Sequence, residues 1–310
     1  MHRHSLGGKL VLLGTPGEEG TIGGKTLLLS RGAYKAVDVT LISHPSIVNN
    51  SPFIHTTAFS RLTGTFTGRT AHAANAPWKG LNALDGAVHA YTGVALLRQQ
   101  THPSTVMSLA IPDSGGDATN TIHARASITC VARSHPSLSS SPHETLERRI
   151  TACFHAGALA TGCDLDVQIT PGYLDHVPNA VLARRYAANW EFLSDGLPPD
   201  PPIPRDNRPV YVNASTDQGN LSHALPSINV SFTIPPGPEG GPPHSADFAL
   251  AAGVRAAFAR ALRVGKVLAG TAADVLTAPG LLGEVKAQWR RDMDAVKGRE
   301  GVTGLYNSIC

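Results

Sequence analysis

The sequence of 310 residues has few cysteines and no long apolar run. The cysteines, Cys130, Cys153, Cys163 and Cys310, have no CxxC spacing, which argues against a cysteine zinc site or a dense disulfide framework. We therefore expect buried, inert thiols in a reducing compartment, the cytoplasm. No run of 18 apolar residues occurs and the start lacks the apolar stretch of a secretory signal, so neither a membrane-spanning helix nor a signal peptide is expected.

An excess of charge is also missing. The 26 basic and 23 acidic residues leave a formal charge of only +3, and the basic residues are scattered. Nucleic acids and membrane surfaces are therefore poor candidates for partners. What is present is a hydrophobic content of 42% in a chain long enough for two modest domains or one large one, which is typical of a globular protein with a core.

The first part of the chain has the pattern of a βαβ unit. Residues 9–14 form a short apolar run that ends in glycine, which is typical of a buried strand. Residues 24–32 are helical in pattern and are stopped by glycine, and residues 37–43 indicate the next strand. This order predicts a parallel sheet, because parallel strands need a crossover connection.

The pattern changes after Pro52. We predict a β, α, β, β, α, β order, the ferredoxin-like arrangement of an antiparallel sheet with two helices on one face. The predicted elements are residues 59–67, 81–100, 105–111, 124–133, 143–161 and 164–170. The block interrupts the parallel-sheet domain, so we predict an α/β protein with segments 1–55 and 172–310 in one domain and an inserted lid at 56–171.

The C-terminal segment is predicted to be mainly helical. A helix at 178–192 precedes a proline-rich stretch at 197–204 that is incompatible with regular structure. The apolar segment 225–234 indicates a strand. A second loop rich in proline and glycine, residues 235–243, then leads to His244 and to predicted helices at 247–269 and 282–296.

Two neighbouring carboxylates, Glu18 and Glu19, follow the predicted strand at 9–14. The carboxyl ends of parallel strands are where such proteins bind ligands, so one Glu can bind a metal while the other faces a substrate water. Taken alone, the pair is better explained as two solvated glutamates in a turn, because glutamate is mostly exposed in proteins. His44 ends the next predicted strand, and a neutral imidazole at this sheet edge is a good zinc ligand. His244 is a third candidate, although a His before a helix also serves as an ordinary capping-region residue.

Several motifs together resemble the zinc aminoacylase and exopeptidase family, in its amidohydrolase branch. The motifs are GTPGEE at 14–19, SHPS at 43–46 and GRTAH at 68–72. The longer runs AHAANAPWKGLNALD at 71–85 and ASTDQGN at 214–220 resemble the dipeptidase-like subgroup that clears β-alanyl and basic dipeptides. The resemblance covers roughly residues 9–276.

The resemblance implies a role for each matching position. Glu18 corresponds to the general base, and Glu19, His44 and His244 correspond to ligands of one or two zinc ions. His72 corresponds to a histidine that reaches across a homodimer to stabilise the oxyanion. Asn120 corresponds to a substrate-contacting residue offered to the partner's site, and Asp217 to a segment near the substrate whose role is less defined.

The sequence departs from the family pattern at two places. A Cys-Gly-His motif that supplies further metal ligands is expected before Glu18, but the segment between His4 and Thr15 is too short for it. His2 and His4 are alternative chelating residues, and a truncated gene model, a fragment and a degenerate paralogue all remain open. The second departure is His123, where the family has proline after its Asn-x-Ile motif.

The resemblance implies a metal-dependent hydrolase of dipeptides or N-acyl amino acids that dimerises through its lid. Because the upstream ligands are missing, we expect the chain as it stands to hydrolyse amides poorly. The competing hypothesis is a pseudoenzyme that keeps the dimerising lid and binds a partner or peptide. A peptide-binding lid without metal function is a third hypothesis, which the presence of both Glu18 and Glu19 disfavours.

Overall fold

The computed structural model describes residues 7–19, 23–47, 50–136, 143–193, 203 and 208–300. They form two compact units. The first, which we call the discontinuous unit, comprises Met1–Thr56 and His176–Cys310; the second, the insert unit, is Thr57–Asp175. The mixed α/β fold class predicted from the sequence is confirmed, whereas the predicted proline-rich stretch at 197–204 lies almost entirely outside the described residues.

The helices and strands are numbered here in chain order. The helices are α1 (Gly24–Ser30), α2 (Ala83–Leu97), α3 (His143–Thr161), α4 (Ala180–Phe192), α5 (Gln218–Ala224), α6 (Ala246–Ala252), α7 (Arg255–Thr277) and α8 (Leu281–Glu300). The strands are β1 (Thr40–Ser46), β2 (Ile54–His55), β3 (Ala58–Thr67), β4 (Ala71–His72), β5 (Val106–Asp113), β6 (Thr121–Ile122), β7 (Arg125–Ser134), β8 (Asp164–Pro171), β9 (Val210–Tyr211) and β10 (Ser227–Thr233).

The discontinuous unit is organised around a parallel pair of strands that joins its two chain segments. β1 pairs with β10 along its full length, with Thr40 opposite Ser227 and Ser46 opposite Thr233. Helices α4, α7 and α8 cover this pair with an apolar core in which Ile228 and Val230 are fully buried. Parallel pairing is therefore present as expected, but the partner of β1 is β10 and not residues 9–14.

The insert unit contains a four-stranded antiparallel sheet in the order β5-β7-β3-β8. Its helices α2 and α3 pack against each other closely, because a Cβ atom at Gly157 would lie 2.4 Å from the carbonyl oxygen of Gly86. The alternation predicted for β7 holds, since Ala126, Ile128 and Cys130 on one face are all fully buried. With α2 and α3, this sheet confirms the predicted ferredoxin-like order.

Two predicted elements of the discontinuous unit are wrong. Residues 9–14 form no strand, and Leu10 and Leu12 are 73% and 98% exposed. An apolar run becomes a strand only when a neighbour satisfies its backbone N–H and C=O groups, and the described residues pair no strand with this segment. The single helix predicted at 247–269 is two helices, because α6 ends at the C-cap residue Gly253 and α7 begins after Val254.

No helix of the described residues is both long enough and apolar enough to cross a lipid bilayer.

A half-buried histidine joins the start of α3 to the sheet of the insert unit. The two ring nitrogens of His143 lie 2.9 Å from Ser60 Oγ and 2.8 Å from Ser134 Oγ, and Glu147 Oε1 is 3.7 Å from Nε2. Burial lowers the pKa of His143 to about 4, although the charge of Asp175 acts in the opposite direction. The folded insert unit therefore holds this imidazole neutral between two hydroxyl groups at neutral pH.

The lowered pKa of His143 makes stability depend on pH. An unfolded histidine takes up a proton near pH 6.5, while the folded one resists it down to about pH 4. The stabilising contribution of neutral His143 to the free energy of unfolding is thus fully present above pH 6.5. It falls by about 3 kcal/mol as the pH drops towards 4. His143→Gln, whose amide does not titrate in this range, should flatten the slope in denaturant unfolding curves. His155→Gln, on the exposed face of the same helix, should leave it unchanged, and equal slopes in all three proteins would contradict the interpretation.

Candidate functional site

The Glu18–Glu19 turn is closed at its base by backbone contacts. The N–H of Gly23 donates to the carbonyl oxygen of Gly17 at 3.2 Å, and Gly17 has φ 72°, which glycine adopts readily. Gly24, the first residue of α1, packs so closely that an added Cβ would lie 2.1 Å from the carbonyl oxygen of Pro16. The residues before the two carboxylates are therefore tied to the start of α1.

His244 has a backbone conformation that residues other than glycine rarely adopt. Its φ is 72°, and it is the only non-glycine residue with positive φ among the described parts of the chain. The loop before it is held by Asp247, whose carboxylate accepts N–H bonds from Gly241 at 2.8 Å and Glu239 at 3.3 Å. A strained residue held by its surroundings is a feature that clusters at functional sites.

The structure brings Glu19 and His244 together. His244 Nε2 lies 3.4 Å from Glu19 Oε2, and the two side chains are 70% and 65% exposed. Both groups come from loops, one before α1 and one before α6, so the pairing depends on the tertiary fold. A carboxylate oxygen and an imidazole nitrogen are a donor set that fits a divalent metal ion such as zinc.

His44 is not part of a larger group with this pair. It lies exposed in β1, and its Nδ1 is 2.8 Å from the carbonyl oxygen of Pro45. The carbonyl can only accept, so Nδ1 carries the proton and Nε2 keeps the lone pair that a metal needs. Within the part of the chain that the structure describes, no three His, Cys, Asp or Glu side chains are gathered so that they could hold a metal ion. Catalytic zinc commonly takes three protein ligands, and two of them meet here.

Glu18 lies beside this pair and is partly buried, while its neighbour Glu19 is exposed. Consecutive residues in the turn thus differ in their access to solvent.

Asp217 is completely buried and has both carboxylate oxygens engaged by one residue. Lys25 Nζ lies 2.5 Å from Oδ1, and the backbone N–H of Lys25 donates to Oδ2 at 3.0 Å. Burial, with a smaller contribution from the Asp217 charge, raises the pKa of the nearby Tyr34 hydroxyl. The carboxylate expected near the substrate therefore offers no exposed oxygen in this structure.

The insert unit brings His72 next to Asn120 through a short strand pair. His72 in β4 is opposite Thr121 in β6, and the N–H of Ala73 donates to the carbonyl oxygen of Asn120 at 2.9 Å. The backbone N–H groups of Ala74 and Asn75 donate to His72 Nδ1 at 3.2 and 3.1 Å. Because Nδ1 accepts these bonds, the proton of the neutral ring is assigned to Nε2, which is exposed and able to donate.

His123, the departure from the family pattern, has a defined place in the same region. Its Nδ1 lies 3.1 Å from the carbonyl oxygen of Gly115, and its own carbonyl accepts the N–H of Ala83 at 2.8 Å. Gly115 has φ 87°, so this contact closes a sharp loop between β5 and β6. The imidazole supplies a hydrogen bond that a proline at this position would lack.

Sequence reasoning missed two residues that shape the site, Lys25 and Asp247. Asp247 could have been found from its position three residues after the candidate ligand His244, where a side chain often accepts hydrogen bonds from the loop. The signal for Lys25 was weaker, since a lysine in the first turn of a helix is ordinarily solvated.

Comparison with known proteins agrees with the motif resemblance. No family model matches the chain. The chain is 35% identical to the Xaa-Arg dipeptidase of Mus musculus over 288 residues and 33% identical to that of Homo sapiens over 283 residues. Both matches cover 91% of this chain, which spans 62% of the length of each relative.

A solved structure shows the same fold. The Bacillus subtilis protein described as a dinuclear metal-binding peptidase from the M20 family matches with a TM-score of 0.58 at 13% sequence identity. The match covers 84% of this chain and 64% of the other. Over most of its length the chain is therefore similar in sequence to the Xaa-Arg dipeptidases, and it has the fold of that peptidase.

Proposed function

We propose that this protein is a metal-dependent amide hydrolase that acts on dipeptides or N-acyl amino acids, with dipeptides ending in arginine as the first substrates to test. The observation that carries the proposal is the Glu19–His244 pair beside Glu18, with 3.4 Å between Nε2 and Oε2. The curated relatives named Xaa-Arg dipeptidase support the choice of substrate.

In this proposal Glu19 and His244 hold a divalent ion, which we take to be zinc, with His44, which is not gathered with them in the described residues, as the third ligand. When bound, such an ion lowers the pKa of water and polarises the amide carbonyl. Glu18 then removes a proton from the attacking water and delivers it to the leaving nitrogen, a role for which a carboxylate next to the ligand is well placed. Exposure of Glu19 and His244 leaves the pair accessible to a small substrate.

His72 and Asn120 are assigned to the substrate side of the reaction. The Nε2–H of His72 donates to the oxygen on which negative charge develops, and the two backbone bonds to Nδ1 keep that nitrogen from being the donor. Asn120 contacts the substrate. We further propose that the protein forms a homodimer through the insert unit, so that these two residues serve the partner's site.

A pseudoenzyme is the second candidate function. It is favoured by one specific observation, that the described residues gather two metal ligands rather than three. Metal analysis of the purified protein separates the two candidates: bound divalent metal supports the enzyme, and its absence after incubation with zinc supports the pseudoenzyme. Nucleic acid and membrane are not proposed as partners.

We propose that the protein acts in the cytoplasm. The described cysteines Cys130, Cys153 and Cys163 are free, and burial raises the pKa of Cys130 to about 12, so its thiol stays protonated and inert. Free buried thiols are ordinary in a reducing compartment.

The role of Glu18 is tested by Glu18→Gln, which keeps the size of the side chain but removes the base. In the metal-loaded protein the variant should lower kcat for hydrolysis of an arginine-ending dipeptide by about 10²–10⁴-fold, because proton transfer is lost. Metal content should stay the same. Glu284→Gln, an exposed glutamate of α8, is the matched control and should retain full activity. A Glu18→Gln variant with the kcat of the unchanged protein would rule out the assignment.

The role of His72 is tested by His72→Ala, which removes the proposed donor. The expected loss is about 10²–10³-fold in kcat with unchanged metal content. His72→Gln, whose amide N–H reaches a similar position, should recover part of it.

The proposal that His72 of one subunit serves the site of its partner is tested by mixing two variant proteins. Glu18→Gln and His72→Ala proteins, each inactive alone, form a mixed dimer with one intact site. Statistical mixing should therefore restore about one quarter of the original activity if each site takes Glu18 from one subunit and His72 from the other. Activity that never rises above that of the separate variants would contradict the shared site.

A further inference from the structure

The buried ion pair of Lys25 and Asp217 joins two helices that are far apart in the chain. Lys25 is the second residue of α1, and Asp217 is the N-cap residue of α5, 192 positions later. The side chains are 10% and 0% exposed. One carboxylate oxygen holds the lysine ammonium group, and the other accepts the lysine's own backbone N–H. The carboxylate therefore fixes the main chain of α1 as well as a side chain.

The pair is buried, and Tyr34, whose hydroxyl is affected by the charge of Asp217, belongs to an apolar cluster. Tyr34, Leu221 and Leu225 form a small buried cluster between α1 and α5, with Leu28 and Leu29 packed against it. Charges removed from water are strongly disfavoured unless they are paired and hydrogen-bonded. Asp217 consequently has a single well-defined arrangement, the one in which it remains on Lys25.

The connection continues from Lys25 to the carboxylates of the candidate site. Lys25 directly follows Gly24, which packs on the carbonyl oxygen of Pro16, and Gly23 donates to Gly17. Glu18 is the next residue after Gly17. A shift of the start of α1 would thus move the base of the turn that carries Glu18 and Glu19.

We propose that Asp217 is a positioning residue, which acts through Lys25 to hold the Glu18–Glu19 turn where Glu19 meets His244, and which does not touch the substrate. The part of this inference that concerns catalysis rests on the proposed function. Its basis is the complete burial of the carboxylate, the bond to the backbone of α1, and the contacts that tie α1 to the turn.

The primary test is the affinity of the protein for Co²⁺, titrated by its absorption spectrum, together with the steady-state kinetics. Asp217→Asn turns one accepting oxygen into an N–H donor that faces the lysine ammonium group. The affinity for Co²⁺ should fall about 10–100-fold, as is typical when a group that orients a ligand is removed. With an arginine-ending dipeptide as substrate, kcat should fall while KM stays within about twofold. The reason is that Asp217 acts only on the position of the Glu18–Glu19 turn and does not bind the substrate.

A second variant separates positioning from stability. Lys25→Met with Asp217→Leu replaces the pair by apolar side chains of similar size, which is often neutral for an ion pair, but the backbone N–H of Lys25 loses its acceptor. The double variant should therefore stay folded with a somewhat lower denaturant midpoint and bind Co²⁺ about 10-fold more weakly. The matched control is Asp38→Asn, the same change in the exposed Lys286–Asp38 pair of the discontinuous unit, where the Nζ–Oδ1 distance is also 2.5 Å. Its affinity for Co²⁺ should not change.

Two results would overturn the inference. A rise in KM with unchanged kcat and unchanged Co²⁺ affinity in Asp217→Asn would mean that the carboxylate contacts the substrate. A folded double variant with unchanged Co²⁺ affinity would mean that the pair does not position the Glu18–Glu19 turn.

Failure of the proposed function is recognised separately. If the unchanged protein hydrolyses no amide, the Co²⁺ titration still tests the positioning. If it binds no Co²⁺ either, amide hydrogen exchange across residues 14–19 provides the test: faster exchange in the double variant than in Asp38→Asn supports the inference, and equal exchange overturns it.

Discussion

The parallel pairing of β1 with β10 is the interaction on which the discontinuous unit depends. The two strands belong to chain segments separated by the whole insert unit, and their backbone ladder continues beyond β10, where the N–H of Ile234 donates to the carbonyl oxygen of Ser46. Parallel strands carry their C-terminal ends to the same edge. The loop that presents His244 starts at this edge, and His44 lies within β1 itself. The ladder therefore sets where two of the three candidate ligands are found.

The candidate site is built from loops that are each fastened at a point away from the ligand. Asp247 holds the loop before His244, and the Gly17–Gly23 bond with the packing of Gly24 closes the turn before α1. Such fastening matters because the ligands themselves are exposed and make few other contacts. The positive φ of His244 shows that the loop imposes a conformation on the residue rather than the reverse.

The insert unit is built on an antiparallel sheet instead of a parallel pair. The contacts described here for its chemistry-bearing residues all lie within this unit. His72 and Asn120 meet through a two-residue strand pair, and His123 closes the neighbouring loop on Gly115. The tautomer of His72 follows from two backbone N–H groups only two and three residues away. The tautomer that makes His72 Nε2 a hydrogen-bond donor is therefore set by residues next to it in the chain.

Two kinds of feature were predictable from the sequence by itself. They are the helices and strands whose apolar residues recur periodically, and the motifs whose residues are consecutive in the chain. The residues of α3 and the buried face of β7 follow from periodicity, because each element packs one side on a core. The resemblance to a family of peptidases and amidohydrolases followed from ordered motifs. The exposed segment at 9–14 was not predictable in the same way, because an apolar run does not reveal whether a strand neighbour is available to it.

Only the tertiary structure decided which separated residues meet. Glu19 lies 3.4 Å from His244, while both carboxylate oxygens of Asp217 are buried against Lys25, and no local sequence pattern indicates either contact. The physical reason is that such contacts are set by how strands and helices distant in the chain pack, and a polar side chain looks the same in sequence whether it is solvated, buried in an ion pair or poised to bind a metal.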